Sequence, residues 1–257
     1  MLAHDSRGSG PHSIVLLHGF LGSGRNLASV ARRWTEAASD VRLVLPDLTG
    51  HGASPALPPD ADLDTLARDV LALTEALRLS KPVTLVGHSL GGRVALAARL
   101  LRPEAVREVV LLDITPSPMQ GLVGDLGQVL ALLLKAPATT ESREAMREFF
   151  TAGGVSGPLA DWLLMNLLNE GAFYRWRIDR EALGAFHRRV AGTDLWASLS
   201  LPGARTRCIR GGSSPYVSDA DVARMEGLGC PVQTLAGAGH FVHVDAQPAL
   251  LQSLVGV

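Results

Sequence analysis

One stretch of the chain decides the fold: Val83-Thr-Leu-Val-Gly-His-Ser-Leu-Gly-Gly-Arg-Val-Ala-Leu96, where an apolar strand pattern passes into an apolar helix pattern. Gly87-x-Ser89-x-Gly91 lies at the junction, which is the context of a nucleophile elbow. The two glycines carry no Cβ, so the strand and the helix can approach closely around the turn. The helix also directs its free N–H groups at any negative charge that forms beside Ser89. We therefore interpret Ser89 as a nucleophile.

Length and composition limit the classes of protein that fit. The 257 residues are 47% hydrophobic, which suits one large domain, and 24 basic against 25 acidic residues give a net charge of −1. No basic run indicates nucleic acid as a partner, and no apolar stretch is long enough for a membrane span. The first residues lack a signal-peptide pattern, which predicts a cytoplasmic protein. We expect a monomer or a homodimer. Cys208 and Cys230 form no metal pattern and are expected to be free thiols.

Short apolar runs alternate with helical patterns along most of the chain. This order predicts an α/β fold, with a mostly parallel central sheet flanked by helices on both faces. The first dozen residues are expected to add an antiparallel edge strand. The predicted strands are Ser13–Leu17, Val41–Leu45, Val83–Val86, Val109–Leu112, Thr206–Arg210 and Val232–Leu235. The predicted helices are Leu27–Ala38, Leu63–Leu79, Gly92–Leu101 and a last one from Pro248 to the end.

The middle of the chain has a different pattern. From about Pro116 to Ser200 there is no strand signal, and helical stretches are predicted at Leu122–Leu134, Glu141–Phe150, Leu159–Leu168 and Arg180–Val190. Eight of the twelve aromatic residues fall there. They suit either an insertion with its own small core or a roof over an apolar pocket, and we favour the roof. We expect a core domain of residues 1–115 and 201–257, with a helical cap inserted at 116–200.

A nucleophilic serine needs a base and an acid that orients the base. The base is expected to be His240, which follows the small residues of Ala236-Gly-Ala-Gly239 just after the last predicted strand. His243 is the competing candidate, but it approaches the final helix, which favours a structural role.

The position of the acid is less regular. The loop after the penultimate predicted strand is its usual place, but Ser214 stands there before Pro215, and no carboxylate does. Asp219 and Asp221 lie farther along, where they are expected to cap and begin a helix. Asp113 directly follows the apolar run Val109–Leu112, so it is expected to lie at the same sheet edge as Ser89. We favour Asp113 as the acid, against the alternative that it only caps a turn.

An oxyanion hole requires two N–H donors. The backbone of Leu90, directly after the nucleophile, supplies one. The turn His18-Gly19-Phe20 follows the first predicted core strand and presents the N–H of Phe20 as the other. We expect His18 to stabilise its loop by a hydrogen bond and His51 to have a structural role.

Together these residues resemble the α/β-hydrolase superfamily, with matches at His18-Gly19-Phe20, 47–54, 87–92 and Gly239-His240 in the family's order. The resemblance implies Ser89 as nucleophile, His240 as base and the Phe20 and Leu90 amides as the oxyanion hole. Ser214 departs from the family pattern. With Trp176-Arg177 in the cap region, the chain is most similar to small bacterial serine esterases whose acid lies after the preceding strand, at Asp113. Trp176 and Arg177 are then candidate substrate-binding residues.

The expected reaction is hydrolysis of a small-molecule carboxylic ester, with a small to medium acyl chain, through an acyl-serine intermediate. No cofactor and no metal are expected. Other chemistries remain open on the same scaffold, since fold and triad do not choose among them. They are thioester or carbon–carbon bond hydrolysis, cofactor-free elimination and perhydrolysis, and a non-catalytic receptor for a small molecule is a further alternative.

Overall fold

The computed structural model describes residues 1–119, 126–203 and 205–255. Within them, seven strands form one sheet in the order β1-β3-β2-β4-β5-β9-β10, in which every neighbouring pair is parallel except β1 with β3. The strands are β1 (His4–Arg7), β2 (His12–Leu17), β3 (Val41–Pro46), β4 (Val83–His88), β5 (Val106–Leu112), β9 (Arg205–Gly211) and β10 (Val232–Leu235). All six predicted core strands are therefore confirmed, as is the antiparallel edge strand.

Helices cover both faces of this sheet, which explains why its central strands β2 to β5 are mostly apolar. The helices of this part are α1 (Ala28–Ala37), α2 (Leu63–Ala76), α3 (Leu90–Leu101), α8 (Asp219–Gly227), α9 (Val242–Asp245) and α10 (Gln247–Leu254). Ile14 and Leu16 of β2 face a buried cluster that includes residues of α1 and α10, while Val15 and Leu17 face the cluster that includes residues of α2 and α3.

The segment 116–200, here called the cap segment, contains helices and a small sheet. Its helices are α4 (Leu126–Lys135), α5 (Arg143–Ala152), α6 (Gly157–Leu163) and α7 (Arg180–Ala191). Three short strands pair antiparallel in the order β6-β8-β7: β6 (Thr139–Thr140), β7 (Leu167–Asn169) and β8 (Tyr174–Trp176).

The expectation of a strand-free middle was therefore wrong, because strands of two or three residues are too short to show a periodic pattern. The helix predicted at Leu159–Leu168 ends at Leu163, and β7 follows after one 3₁₀ turn. The start of the helix predicted at 122–134 lies outside the described residues.

The cap segment shares its apolar core with the sheet. Phe150 and Phe186 of the segment belong to the same buried cluster as Val94 of α3 and Leu111 of β5. Among the described helices, none has both the length and the apolar character needed to cross a bilayer. Cys208 and Cys230 are buried and form no disulfide, as expected.

One buried arginine joins α3 to both ends of the cap segment. The guanidinium of Arg93, 1% exposed, donates to the carbonyl oxygen of Ser117 at 2.8 Å and also to that of Thr193. Burial lowers the pKa of Arg93 to about 10. The helix that begins beside Ser89 thus holds the two ends of the cap segment together.

Candidate active site

Ser89 lies on a strained turn between β4 and α3. Its φ is +52°, a region that a residue with a side chain rarely adopts and that is common at functional sites. The close packing around the turn needs glycine, because a Cβ on Gly91 would lie 2.3 Å from the carbonyl oxygen of Leu17. A Cβ on Gly87 would be equally close to the backbone of Gly91. The sequence signal at 87–91 therefore corresponds to a sharp elbow that exposes part of Ser89.

Asp113 directly follows β5, the neighbour of β4, and its side chain is fully buried. Its Oδ1 accepts the backbone N–H of Gly211 at 2.8 Å. Its Oδ2 accepts from Nδ1 of His240 at 2.7 Å and from the hydroxyl of Ser214. A buried carboxylate is costly unless its oxygens are hydrogen-bonded, and these three donors meet that need. Ser214, the residue at the usual acid position, thus serves as a donor to Asp113.

His240 lies in the loop between β10 and α9, where three contacts hold it. Nδ1 bonds Asp113, the ring stacks on Tyr216 with centroids 3.7 Å apart, and the carbonyl oxygen accepts from Nε2 of His88 at 2.9 Å. Burial lowers the pKa of His88 well below its ordinary value, so this support is a neutral ring. His243 packs edge-on against His88, and burial lowers the pKa of His243 to about 4. The structure therefore brings His240, and not His243, to Asp113.

The turn after β2 lies directly against the elbow. A Cβ on Gly19 would lie 3.4 Å from the Cβ of Ser89 and 2.8 Å from Nδ1 of His88, which explains the glycine. His18 accepts the N–H of Leu48 at Nε2, so Nδ1 carries the proton and donates to the carbonyl oxygen of Gly19. Burial lowers the pKa of His18 to about 4, which keeps this tautomer neutral. Within the described residues, the N–H groups of Phe20 and Leu90 have no hydrogen-bond acceptor.

Ser89 and His240 both line a cavity of about 560 Å³ whose walls are mainly apolar. Its aromatic and aliphatic lining comes from Phe20, Val129, Leu159, Trp162, Tyr216, Phe241 and Val244. The cap segment therefore contributes part of the wall above Ser89. Binding sites for small molecules have this size and this mixture of apolar walls with few polar groups.

Two residues that the sequence singled out do not line this cavity. Trp176 is 7% exposed, packs edge-on against Phe150 and donates from Nε1 to the carbonyl oxygen of Pro137 at 2.9 Å. The expectation that Trp176 contacts substrate beside Ser89 is corrected, since its ring fills the core of the cap segment. Arg177 lines a second cavity that adjoins the first.

Sequence reasoning missed Tyr216 and the hydroxyl role of Ser214. Both stand in the loop after β9, on either side of Pro215, and the only signal was the missing carboxylate there. In the described part of the chain, no three histidine, cysteine or carboxylate side chains converge in a group that could hold a metal ion.

Comparisons with known proteins agree with this geometry. Residues 14–251 match the model of the alpha/beta hydrolase family. The chain is 31% identical to the lipase LipV of Mycobacterium tuberculosis, covering 96% of this chain and 93% of that protein. It is 30% identical to an sn-1-specific diacylglycerol lipase of Xenopus tropicalis, covering 98% and 79%. A solved structure of a marine microorganism esterase has a TM-score of 0.86 at 23% identity, covering 99% and 98%. The chain thus belongs to the alpha/beta hydrolase family.

Proposed function

We propose that this hydrolase cleaves carboxylic esters through an acyl intermediate on Ser89, with His240 as base and Asp113 as the acid that orients it. The observation that carries the proposal is the 2.7 Å hydrogen bond between Asp113 Oδ2 and His240 Nδ1, since His240 lines the same cavity as Ser89. Relatives named esterase and lipase support an ester as the substrate.

The hydrogen bond to Asp113 fixes the proton of His240 on Nδ1, which leaves Nε2 with a lone pair. Nε2 takes the proton of Ser89 as Oγ attacks the ester carbonyl, and then returns it to the leaving alcohol. Water then attacks the acyl-serine with the same help from His240, and the carboxylic acid product is released. Tyr216, stacked on His240, holds the plane of the ring during both proton transfers.

The N–H groups of Phe20 and Leu90 form the oxyanion hole in this proposal. Two observations support it: neither group has an acceptor in the described residues, and the Phe20 turn lies against the elbow. The N–H of Leu90 also belongs to the first turn of α3, where the helix dipole favours negative charge. A donor aimed at a developing oxyanion lowers the barrier by about 3–4 kcal/mol.

The cavity of about 560 Å³ supports esters of small to medium acyl chain. We include in the proposal the division into a core domain and a cap at 116–200, since that segment supplies Leu159 and Trp162 to the wall. The cytoplasmic location and the monomeric or homodimeric state stay predictions from the sequence.

The test measures hydrolysis of 4-nitrophenyl esters from acetate to palmitate by the wild type and by Ser89→Ala and His240→Ala. We expect turnover that peaks at short or medium chains, with kcat reduced by about 10⁶-fold in either variant. Ser213→Ala is the matched control, because Ser213 is exposed and its hydroxyl bonds no described residue.

A second readout separates the nucleophile from the substrate. A fluorophosphonate ester should label the wild type on the peptide that contains Ser89 and should leave Ser89→Ala unlabelled. Labelling without ester turnover would keep the nucleophile and refute the carboxylic ester. Turnover that survives Ser89→Ala would refute the mechanism.

A further inference from the structure

A second cavity, of about 290 Å³, adjoins the one that contains Ser89. Three arginines line it from three separate parts of the chain: Arg25 from the 3₁₀ turn before α1, Arg143 from the first turn of α5, and Arg177 from the residue after β8. Asp47 is the single acidic residue among the described lining residues, so their formal charge is +2.

The three arginines have no partner among the residues that the structure describes. Within the described residues, none of the three guanidinium groups forms an ion pair or a hydrogen bond. The Nε of Arg177 is buried and has no acceptor there. Leaving a buried donor unpaired costs about 1–3 kcal/mol, which an arriving acceptor would recover. Three unpaired cations around one cavity are therefore arranged for a ligand oxyanion.

Asp47 offsets one of the three positive charges but pairs with none of these arginines in the described residues, because its two oxygens accept backbone N–H groups. Its Oδ1 accepts the N–H of Gly24 at 2.8 Å, and its Oδ2 accepts that of Ala53 at 2.8 Å. Those bonds fix the loop after β3 against the 3₁₀ turn that carries Arg25.

The two cavities share part of their lining: Gly22, Asn26 and Trp162 belong to both. The two cavities therefore adjoin at Trp162, which is where a molecule with its ester carbonyl at Ser89 would enter the arginine-lined cavity. We propose that this second cavity binds an anionic group, a carboxylate or a phosphate, carried by the substrate at the end remote from the scissile ester.

The proposal deepens the proposed function and rests on it, since it names the class of ester. Arginine suits the assignment because its planar donors match the oxygens of carboxylate and phosphate in pairs. The partly buried setting of Arg143 and Arg177 strengthens the attraction relative to open water. The substrate has an apolar middle, along Leu159 and Trp162, between the ester and the charge.

The test compares two esters of one length, 4-nitrophenyl hydrogen suberate and methyl 4-nitrophenyl suberate, which differ in the remote carboxylate. For each enzyme, the readout is the ratio of kcat/KM for the charged ester to that for the neutral one. Charge-assisted hydrogen bonds predict a ratio of roughly tenfold to hundredfold for the wild type. The ratio should fall towards about one in the Arg143→Gln/Arg177→Gln variant and should decrease with added NaCl.

Arg32→Gln is the matched control, since it removes the same charge from an exposed ion pair with Glu36 on α1 and should keep the wild-type ratio. A wild type that hydrolyses the neutral ester equally well, or a double variant that keeps the preference, overturns the anion site while leaving ester hydrolysis intact. Heptanoate and hexyl phosphate, compared as competitive inhibitors, show which oxyanion is preferred.

Binding without turnover separates this proposal from the proposed function. Monomethyl suberate should bind the Ser89→Ala variant in a calorimetric titration, and Arg143→Gln/Arg177→Gln in the same background should weaken that binding at least tenfold. Such binding, found with an enzyme that hydrolyses no ester, supports the anion site and refutes the ester function. Absence of this binding overturns the anion site.

Discussion

Replacing Asp113 with asparagine should stop catalysis through the tautomer of His240. The N–H of Gly211 donates to Oδ1 and would keep the amide oxygen of the asparagine at that position. The amide nitrogen then takes the place of Oδ2, where it faces Nδ1 of His240. An N–H in front of Nδ1 selects the imidazole protonated on Nε2, which has no lone pair for the proton of Ser89. We expect kcat to fall by about 10⁴-fold.

The assay is steady-state hydrolysis of a short 4-nitrophenyl ester, with circular dichroism to show that the variant folds. Asparagine tolerates the φ of +52° at this position, so the fold should persist. The hydroxyl of Ser214 and Nδ1 of His240 both contact Oδ2 of Asp113, so a carboxylate at position 214 would lie close to the ring. Asp113→Asn/Ser214→Asp should therefore recover roughly a hundredfold in kcat, and Asp113→Asn/Ser213→Asp should recover nothing. If Asp113→Asn alone keeps more than about a tenth of the wild-type kcat, the reasoning fails.

Three further outcomes follow from buried groups. Ser214→Ala removes one of three donors to the buried Asp113 carboxylate and should lower the free energy of unfolding in urea by about 1.5–3 kcal/mol. Ser213→Ala should leave that free energy unchanged. Equal urea midpoints for the two variants would contradict this. Gly91→Ala places a Cβ 2.3 Å from the carbonyl oxygen of Leu17, and it should lower the free energy of unfolding by about 1–3 kcal/mol or more and reduce turnover. A Cβ on Gly192 would meet no atom within 4 Å, so Gly192→Ala should leave thermal unfolding and turnover unchanged. Burial lowers the pKa of four histidines to about 3 or 4, so the unfolded chain takes up protons before the folded one as the pH falls below 6.5. The stabilisation that these neutral histidines provide is therefore fully present above pH 6.5. Between pH 6.5 and pH 4 the free energy of unfolding should fall by up to about 1.4 kcal/mol per histidine and pH unit, and a Tm that stays constant across this range would refute the reasoning.

The centre of the sheet was predictable from sequence because strands β2 to β5 are buried on both faces and are therefore mostly apolar. The strand bounds in the structure differ from the predicted ones by a few residues. For example, β4 is predicted to end at Val86 and ends at His88. The cap segment was less predictable. Its core depends on contacts between separate elements, such as the one between Trp176 of β8 and Phe150 of α5. Helical or strand periodicity relates residues within one element only, so it does not reveal such a contact.

The candidate site likewise contains some residues that the sequence predicts and others that it does not. Ser89 stands in a local motif that the elbow geometry requires. Asp113 directly follows β5 and Ser89 directly follows the neighbouring strand β4, so their proximity follows from strand order. Tyr216 and the arginine-lined cavity have no such local signal. Arg25, Arg143 and Arg177 are 118 and 34 residues apart along the chain, and only tertiary packing places them around one space.

The bond pattern of Arg93 has a consequence for how this scaffold can diversify. A single guanidinium holds the carbonyls of Ser117 and Thr193, so the chain leaves and rejoins the hydrolase core at almost the same place. The length of the excursion between these anchors is then free to change without altering the gap that it must bridge. Under the proposed division into core and cap, a graft between positions 118 and 192 that keeps the shared apolar core should change the cavity wall that Leu159 and Trp162 contribute, while Ser89 keeps its elbow.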